Sequence, residues 1–174
     1  RRLIFIIILI LSFNVSFGQQ DPQVSHYFFL KEFYNPAYAG YDGQICANLL
    51  SHQQWRNFEN APLTTIMTID APVSPFGIDG GIGINFVDDR YGFVRDFKAN
   101  ISLAYNINLG LGRLAIGLSP GIFSKKFEPS WKFPEQTESI LNQNGNVTIF
   151  DIGAGILYTR TNLFLSLSSA LSFS

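Results

Sequence analysis

Two histidines, His26 and His52, one cysteine, Cys46, and the adjacent carboxylates Asp88 and Asp89 are the residues of this chain best equipped for chemistry. A metal centre needs three or four converging ligands. The histidines fall in different elements, and His52 sits beside Gln53 and Gln54 near a strand end. Paired carboxylates suit acid–base work or calcium. Arg90 follows them directly, however, and makes the run read as a solvated, self-neutralised loop. Cys46 has no second cysteine with which to form a disulfide and reads as a small buried hydrophobe in a strand. Gly80-Gly81-Ile82-Gly83 and Gly110-Leu111-Gly112 look like phosphate loops, but neither opens a helix. Asn146-Val147-Thr148 has the spacing of a glycosylation site, which matters only in a suitable secretory host. No catalytic residue, cofactor site or metal site is assigned. The net charge of −1 comes with no basic patch for nucleic acid.

The elements that would position any site are strands. From Phe97 to Leu109 apolar and polar residues alternate without error, the signature of a strand with one apolar face. The other face carries Lys98, Asn100, Ser102, Ala104, Asn106 and Asn108. A soluble sheet wets its outer face with charge. Small uncharged polar groups suit a crowded interior, so the strand reads as inside out, with apolar residues toward lipid and polar residues toward a lumen. By this reading Phe97, Ile101, Leu103, Tyr105, Ile107 and Leu109 face lipid, and Asn100, Ser102, Asn106 and Asn108 face inward.

Composition agrees. Only 14% of the 174 residues are charged, against about 25% in ordinary soluble domains. Phenylalanine and glycine are abundant, at 17 and 15 copies, yet no internal run is long enough for a membrane helix. One apolar run stands at the start. Arg1 and Arg2 precede Leu3–Leu11, and Ser16-Phe17-Gly18 supplies a small-x-small end, so residues 1–18 read as a Sec signal peptide cleaved before Gln19. The mature chain is then exported, and its expected destination is the outer membrane.

Seven strands are expected, at about Ile45–Trp55, Thr64–Val73, Ile78–Val87, Asp96–Leu109, Arg113–Lys125, Val147–Thr159 and Asn162–Ser172. Most reach the roughly 9–11 residues that a tilted membrane strand requires. Connections read alternately long and short: Arg56–Leu63 long, Ser74–Gly77 tight, Asp88–Arg95 long, Gly110–Gly112 tight, Phe127–Asn146 long and Thr159–Asn162 tight. Short periplasmic turns and long outer loops do this in an antiparallel up-and-down outer-membrane β-barrel. Asp79 and Asp151 are expected to point inward; the side of Asp70 is open. Strand glycines that fall on an inward face make room there, permit coiling and allow bulges. Bacterial barrels close with even strand numbers, so residues 45–174 are expected to form part of a larger barrel, with residues 19–44 as an N-terminal periplasmic segment.

Without a catalytic constellation, recognition is the remaining chemistry. The aromatic-rich segment Asp21–Tyr41 places Tyr34, Asn35, Pro36 and Tyr38 around a turn signal. It either packs as a plug-like or strand-leading piece at the periplasmic rim or offers a contact surface to periplasmic partners, and the two are compatible. Phe127, Trp131 and Phe133 stand among charges in the longest outer loop, a composition that suits protein recognition or an aromatic knot over the barrel mouth.

Several of these segments resemble one family. Asp21-Pro22-Gln23-Val24-Ser25-His26-Tyr27 with Tyr34-Asn35-Pro36-Ala37-Tyr38-Ala39-Gly40 is similar to the opening of the PorP/SprF family. So are Gln54-Trp55-Arg56-Asn57-Phe58, Ala61-Pro62 with Thr64-Thr65, the run Gly83–Gly92, and Tyr105–Leu118. The likeness spans nearly all of residues 21–171, and Asn35–Gly40 is its most specific part. Val24, His26 and Tyr41 depart from the pattern. The resemblance implies a non-enzymatic outer-membrane component of the type IX secretion system of the Bacteroidetes, serving secretion or the surface display of gliding adhesins. It also implies a barrel of about twice this strand number. Its partners would be membrane lipid, other components of the machinery and a secreted or surface protein. A porin or hydrophobic-compound transporter is the competing reading. A soluble ligand-binding barrel would need its apolar faces inward.

Overall fold

The computed structural model describes residues 27–127 and 145–173. Seven strands follow one another in sequence order, each antiparallel to the next: β1 (Cys46–Gln53), β2 (Leu63–Val73), β3 (Gly80–Tyr91), β4 (Val94–Asn108), β5 (Arg113–Phe127), β6 (Gly145–Arg160) and β7 (Leu163–Phe173). The sheet curls into a half-barrel, the up-and-down β-barrel class read from the alternation. No helix among the described residues is long and apolar enough to cross a membrane, which leaves strands untouched as spanning elements.

Period-two patterning becomes two unlike faces. In β4, Asn100, Ser102, Ala104 and Asn106 are buried on the concave side, while Phe97, Ile101, Leu103 and Tyr105 stand exposed on the convex side. Neighbouring strands continue both faces: Ile82, Ile84 and Phe86 of β3 and Ile116 and Leu118 of β5 lie outward, opposite buried Asn85, Ala115 and Ser119. A convex face of exposed Ile, Leu and Phe is what an apolar solvent selects, and the concave polar face is what a lumen selects. Asp151 is buried on the inner face as its parity requires, and Asp70 joins it there. Asn108, at the last position of β4, is exposed.

Two further expectations fail. Asp88–Arg95 is not a longish loop. Arg90 pairs with Arg95 and Tyr91 with Val94, so β3 and β4 run on through the charged residues to a two-residue connection, Gly92-Phe93. Gly92 has φ +57°, the left-handed geometry required at the first loop position of a II′ hairpin. The charges are accommodated along the ladder: Asp88 binds Arg90 at 2.7 Å and Arg95 at 2.6 Å. Connections 54–62, 74–79, 92–93, 109–112 and 161–162 therefore do not alternate strictly in length. Second, Asp79 is not inside the sheet. It shares parity with buried Gly81 and Asn85 but precedes β3, and it is exposed in the 74–79 turn, accepting from Ser74 Oγ at 3.5 Å.

Candidate functional site

The concave face does not stand empty. Residues 27–41 lie along it, built from a 3₁₀ turn (Tyr27–Phe29), one turn of helix, α1 (Lys31–Tyr34), and a second 3₁₀ turn (Pro36–Tyr38). Asn35 starts that second turn. Its side-chain oxygen accepts from Ala37 N–H at 2.9 Å, and Pro36 supplies a preset φ at the first position. Leu30, Ala37, Tyr38 and Ala39 are buried, although the segment is too short to bury anything by itself. The sheet buries them. Leu30 packs with Ile66 and Val87; Ala37 and Tyr38 pack with Ala115 and Leu157.

The seat is a row of small residues running across the sheet in register: Gly81, Ala104, Gly117, Gly155 and Ser168, one each from β3 to β7. A side chain on these glycines would occupy the segment's own position. A Cβ at Gly81 would strike the Ala39 carbonyl, one at Gly117 the backbone of Pro36 and Ala37, and one at Gly155 the Asn35 side chain. Gly40 closes the arrangement from the other side. It has φ +65°, and a Cβ there would lie 2.7 Å from Ala71 O and 2.8 Å from Pro72 Cα.

Polar groups pin the segment where it touches. Asn35 Nδ2 donates to Ser166 Oγ at 2.9 Å and to Ile156 O at 3.2 Å. Gly40 N–H donates to Asp70 at 2.9 Å, which gives this inner-face carboxylate a partner in the segment. Arg113 anchors the base, donating to Tyr41 O at 3.2 Å with its guanidinium 5.0 Å from the Tyr41 ring. Tyr38, its phenol pushed above the usual range by burial, makes an edge contact with Tyr41 at 5.7 Å.

Glu32 is the one carboxylate that the segment carries into the half-barrel, and it is 5% exposed. Asn85 Nδ2 donates to its Oε1 at 2.9 Å, and Gly83 leaves the space that its carboxyl fills. Burial drives its pKa up to about 7, against the opposing effect of the Ser102 and Asn85 side chains; Asp70 adds a smaller upward push. Nearby, Lys98 and Asp151 form an ion pair at 2.7 Å between β4 and β6, with Asp151 2% exposed. In β5 between them, a Cβ on Gly121 would collide with the Asn100 side chain. Glu32, Lys98, Asn100, Ser119 and Asp151 border one cavity of about 260 Å³.

The residues singled out for partner contact separate. Asn35, Pro36 and Tyr38 are buried in the half-barrel, while Tyr34 is 38% exposed. Phe127 is exposed at the far end of β5 from the Tyr38 seat; Trp131 and Phe133 lie outside the described residues, as do His26 and the signal peptide. His52 is exposed at the end of β1, and Cys46 is half-buried with its thiol toward Gln44 O at 3.8 Å. Among the described residues, no three His, Cys, Asp or Glu side chains converge. Glu32, Asp70 and the seat glycines were not marked as a site by their types. Aligning the hairpins through their turns would have placed Gly81, Gly117 and Gly155 in one row.

Residues 16–171 match the family described as type IX secretion system membrane protein PorP/SprF. Comparison with curated proteins and with solved structures gave no match.

Proposed function

The chain belongs to the PorP/SprF family of type IX secretion system membrane proteins, and on that premise we propose that it is a non-enzymatic outer-membrane β-barrel that supports the secretion or surface display of proteins. The observation that carries this reading is the inside-out sheet with a segment of the chain seated in it. The exposed convex face of Ile, Leu, Phe and Tyr suits contact with outer-membrane lipid. The concave face is occupied by residues 27–41, and its Lys98 and Asp151 are paired with each other rather than spread round an open lumen as in a conducting pore. A barrel filled in this way serves as a platform. Its rims and loops meet other components of the machinery and the exported protein, and Tyr34 and Phe127, with Trp131 and Phe133 beyond them in sequence, are the aromatics offered for those contacts. Surface display of gliding adhesins is one form the role takes.

The porin reading differs in one measurable respect. In planar bilayers the full-length protein should show no large steady conductance; a stable open-channel current would favour the transporter instead. Fractionation bears on the location: recovery of the mature chain in detergent extracts of the outer membrane is expected, and recovery in the soluble periplasmic fraction would overturn it.

A further inference from the structure

Glu32 and Asn85 meet with one hydrogen bond made and two atoms left over. Asn85 Nδ2 donates to Glu32 Oε1 at 2.9 Å. Glu32 Oε2 and Asn85 Oδ1 are both buried, and among the described residues neither has a hydrogen-bond partner; the Ser102 hydroxyl beside the carboxyl donates instead to Ser119 Oγ at 3.4 Å. Both are acceptors when the carboxyl is ionised, and a buried acceptor without a donor is costly. A single proton on Oε2 resolves both, because a carboxylic acid and a primary amide form a closed pair. The amide N–H donates to the acid carbonyl, and the acid O–H donates to the amide carbonyl.

We infer that Glu32 carries a proton while residues 27–41 are seated, closing an acid–amide pair with Asn85, and that loss of this proton loosens the segment from the half-barrel. The pair joins the segment to β3 at mid-sheet, between the Leu30 contact and the Gly117 seat. The proton passes to water through the cavity beside Glu32, leaving a carboxylate that faces the Asn85 oxygen.

The surrounding charges favour the protonated form. Facing Glu32 from the strands are Cys46 on β1, Asp70 on β2, Lys98 on β4 and Asp151 on β6. From its own segment come Lys31, Tyr34, Tyr38, Tyr41 and Asp42. Lys98 is committed to Asp151, and Asp70 opposes ionisation. The carboxyl titrates near 7 when seated against 4.5 in water. A seated pKa above the released one means that seating is strongest below about pH 4.5. It weakens as pH rises through the window to about 7, by up to roughly 300-fold in the seated-to-released ratio. The inference rests on the seated segment and is independent of which protein is exported.

The test uses the full-length protein in detergent or liposomes. Hydrogen exchange of residues 30–41, corrected for intrinsic rates, should show protection falling between about pH 5 and pH 8. Glu32→Gln, which supplies a permanent amide N–H in place of the acid O–H, should hold the segment at both pH values. Equal wild-type protection at both would overturn the inference, as would Glu32→Gln protein less protected than wild type at low pH. Should that variant fail to fold, wild-type protein with carbon-13-labelled glutamate decides the matter. Infrared spectra near pH 6 should contain a protonated glutamate carboxyl that vanishes near pH 8.5, and its absence at the lower pH overturns the proposal.

Discussion

One methyl group at Gly117 tests how the half-barrel holds its segment. An alanine Cβ there would collide with the Ala37 amide nitrogen and the Pro36 carbonyl carbon, and would stand 2.7 Å from Ala37 Cα. All three are backbone atoms, so no rotamer change relieves the contact. Either Pro36–Gly40 shifts or the strand does. Overpacking of this kind costs about 1–3 kcal/mol. A shift of the segment also strains the Asn35 bonds to Ser166 and Ile156 and the Gly40 bond to Asp70, each worth about 1 kcal/mol. Together these put Gly117→Ala at about 2–3 kcal/mol, or roughly 30- to 150-fold in the ratio of seated to open segment. The assay is hydrogen exchange of the Tyr38, Ala39 and Tyr41 amides, which bond within the segment at 3.0, 3.2 and 2.9 Å. Their exchange should accelerate by that factor, while Ile101–Leu103 of β4 keep their protection. Gly145→Ala is the control: its Cβ would meet only Phe127 Cβ at 3.8 Å, so it should change nothing. Unchanged protection in Gly117→Ala would refute the view that the glycines are a seat rather than a device for coiling the strands.

Three further outcomes are expected. Lys98→Met removes one ion-pair partner from a carboxylate that is 2% exposed and should cost up to about 3 kcal/mol, read as a lower unfolding temperature of the heat-modifiable band on gels; Lys98→Met with Asp151→Leu should recover part of it. Ile101→Arg places a charge mid-strand on the convex face, where Ile101 is 50% exposed; in a bilayer it should cost about 2–4 kcal/mol and reduce the membrane-inserted fraction, whereas Ile101→Leu should insert normally. Asn35→Ala removes the cap on Ala37 N–H and the bonds to Ser166 and Ile156; it should speed exchange at Ala37 and Tyr38 without altering the strand ladder.

Much of the fold was legible because the sheet obeys a local rule. Alternation in Phe97–Leu109 gave the strand, and the identity of its polar residues gave the side that faces inward. Asp151 followed from parity with its neighbours. The hairpin at Gly92 was hidden because composition and geometry disagree there. Asp88–Asp96 carries the charges of a loop, yet antiparallel pairing continues as long as each side chain finds solvent or an opposite charge, and Asp88 finds two arginines. The seat was hidden for a different reason. The contacts of Asn35 with Ser166 and Ile156, and of Gly40 with Asp70, join residues far apart in the chain. No period records such contacts. Glu32 shows the limit most sharply: nothing in its neighbours along the chain marks it as buried, and it is the curled sheet that encloses it.

The role in secretion is tested most directly by chromosomal deletion of the full-length gene, in a strain lacking any paralogue, with the exported proteins quantified in the medium, on the cell surface and in the periplasm. Loss of one or more proteins from the surface or medium, with accumulation in the periplasm and restoration by the wild-type gene, is the expected result. Normal secretion and normal surface display in that strain would contradict it.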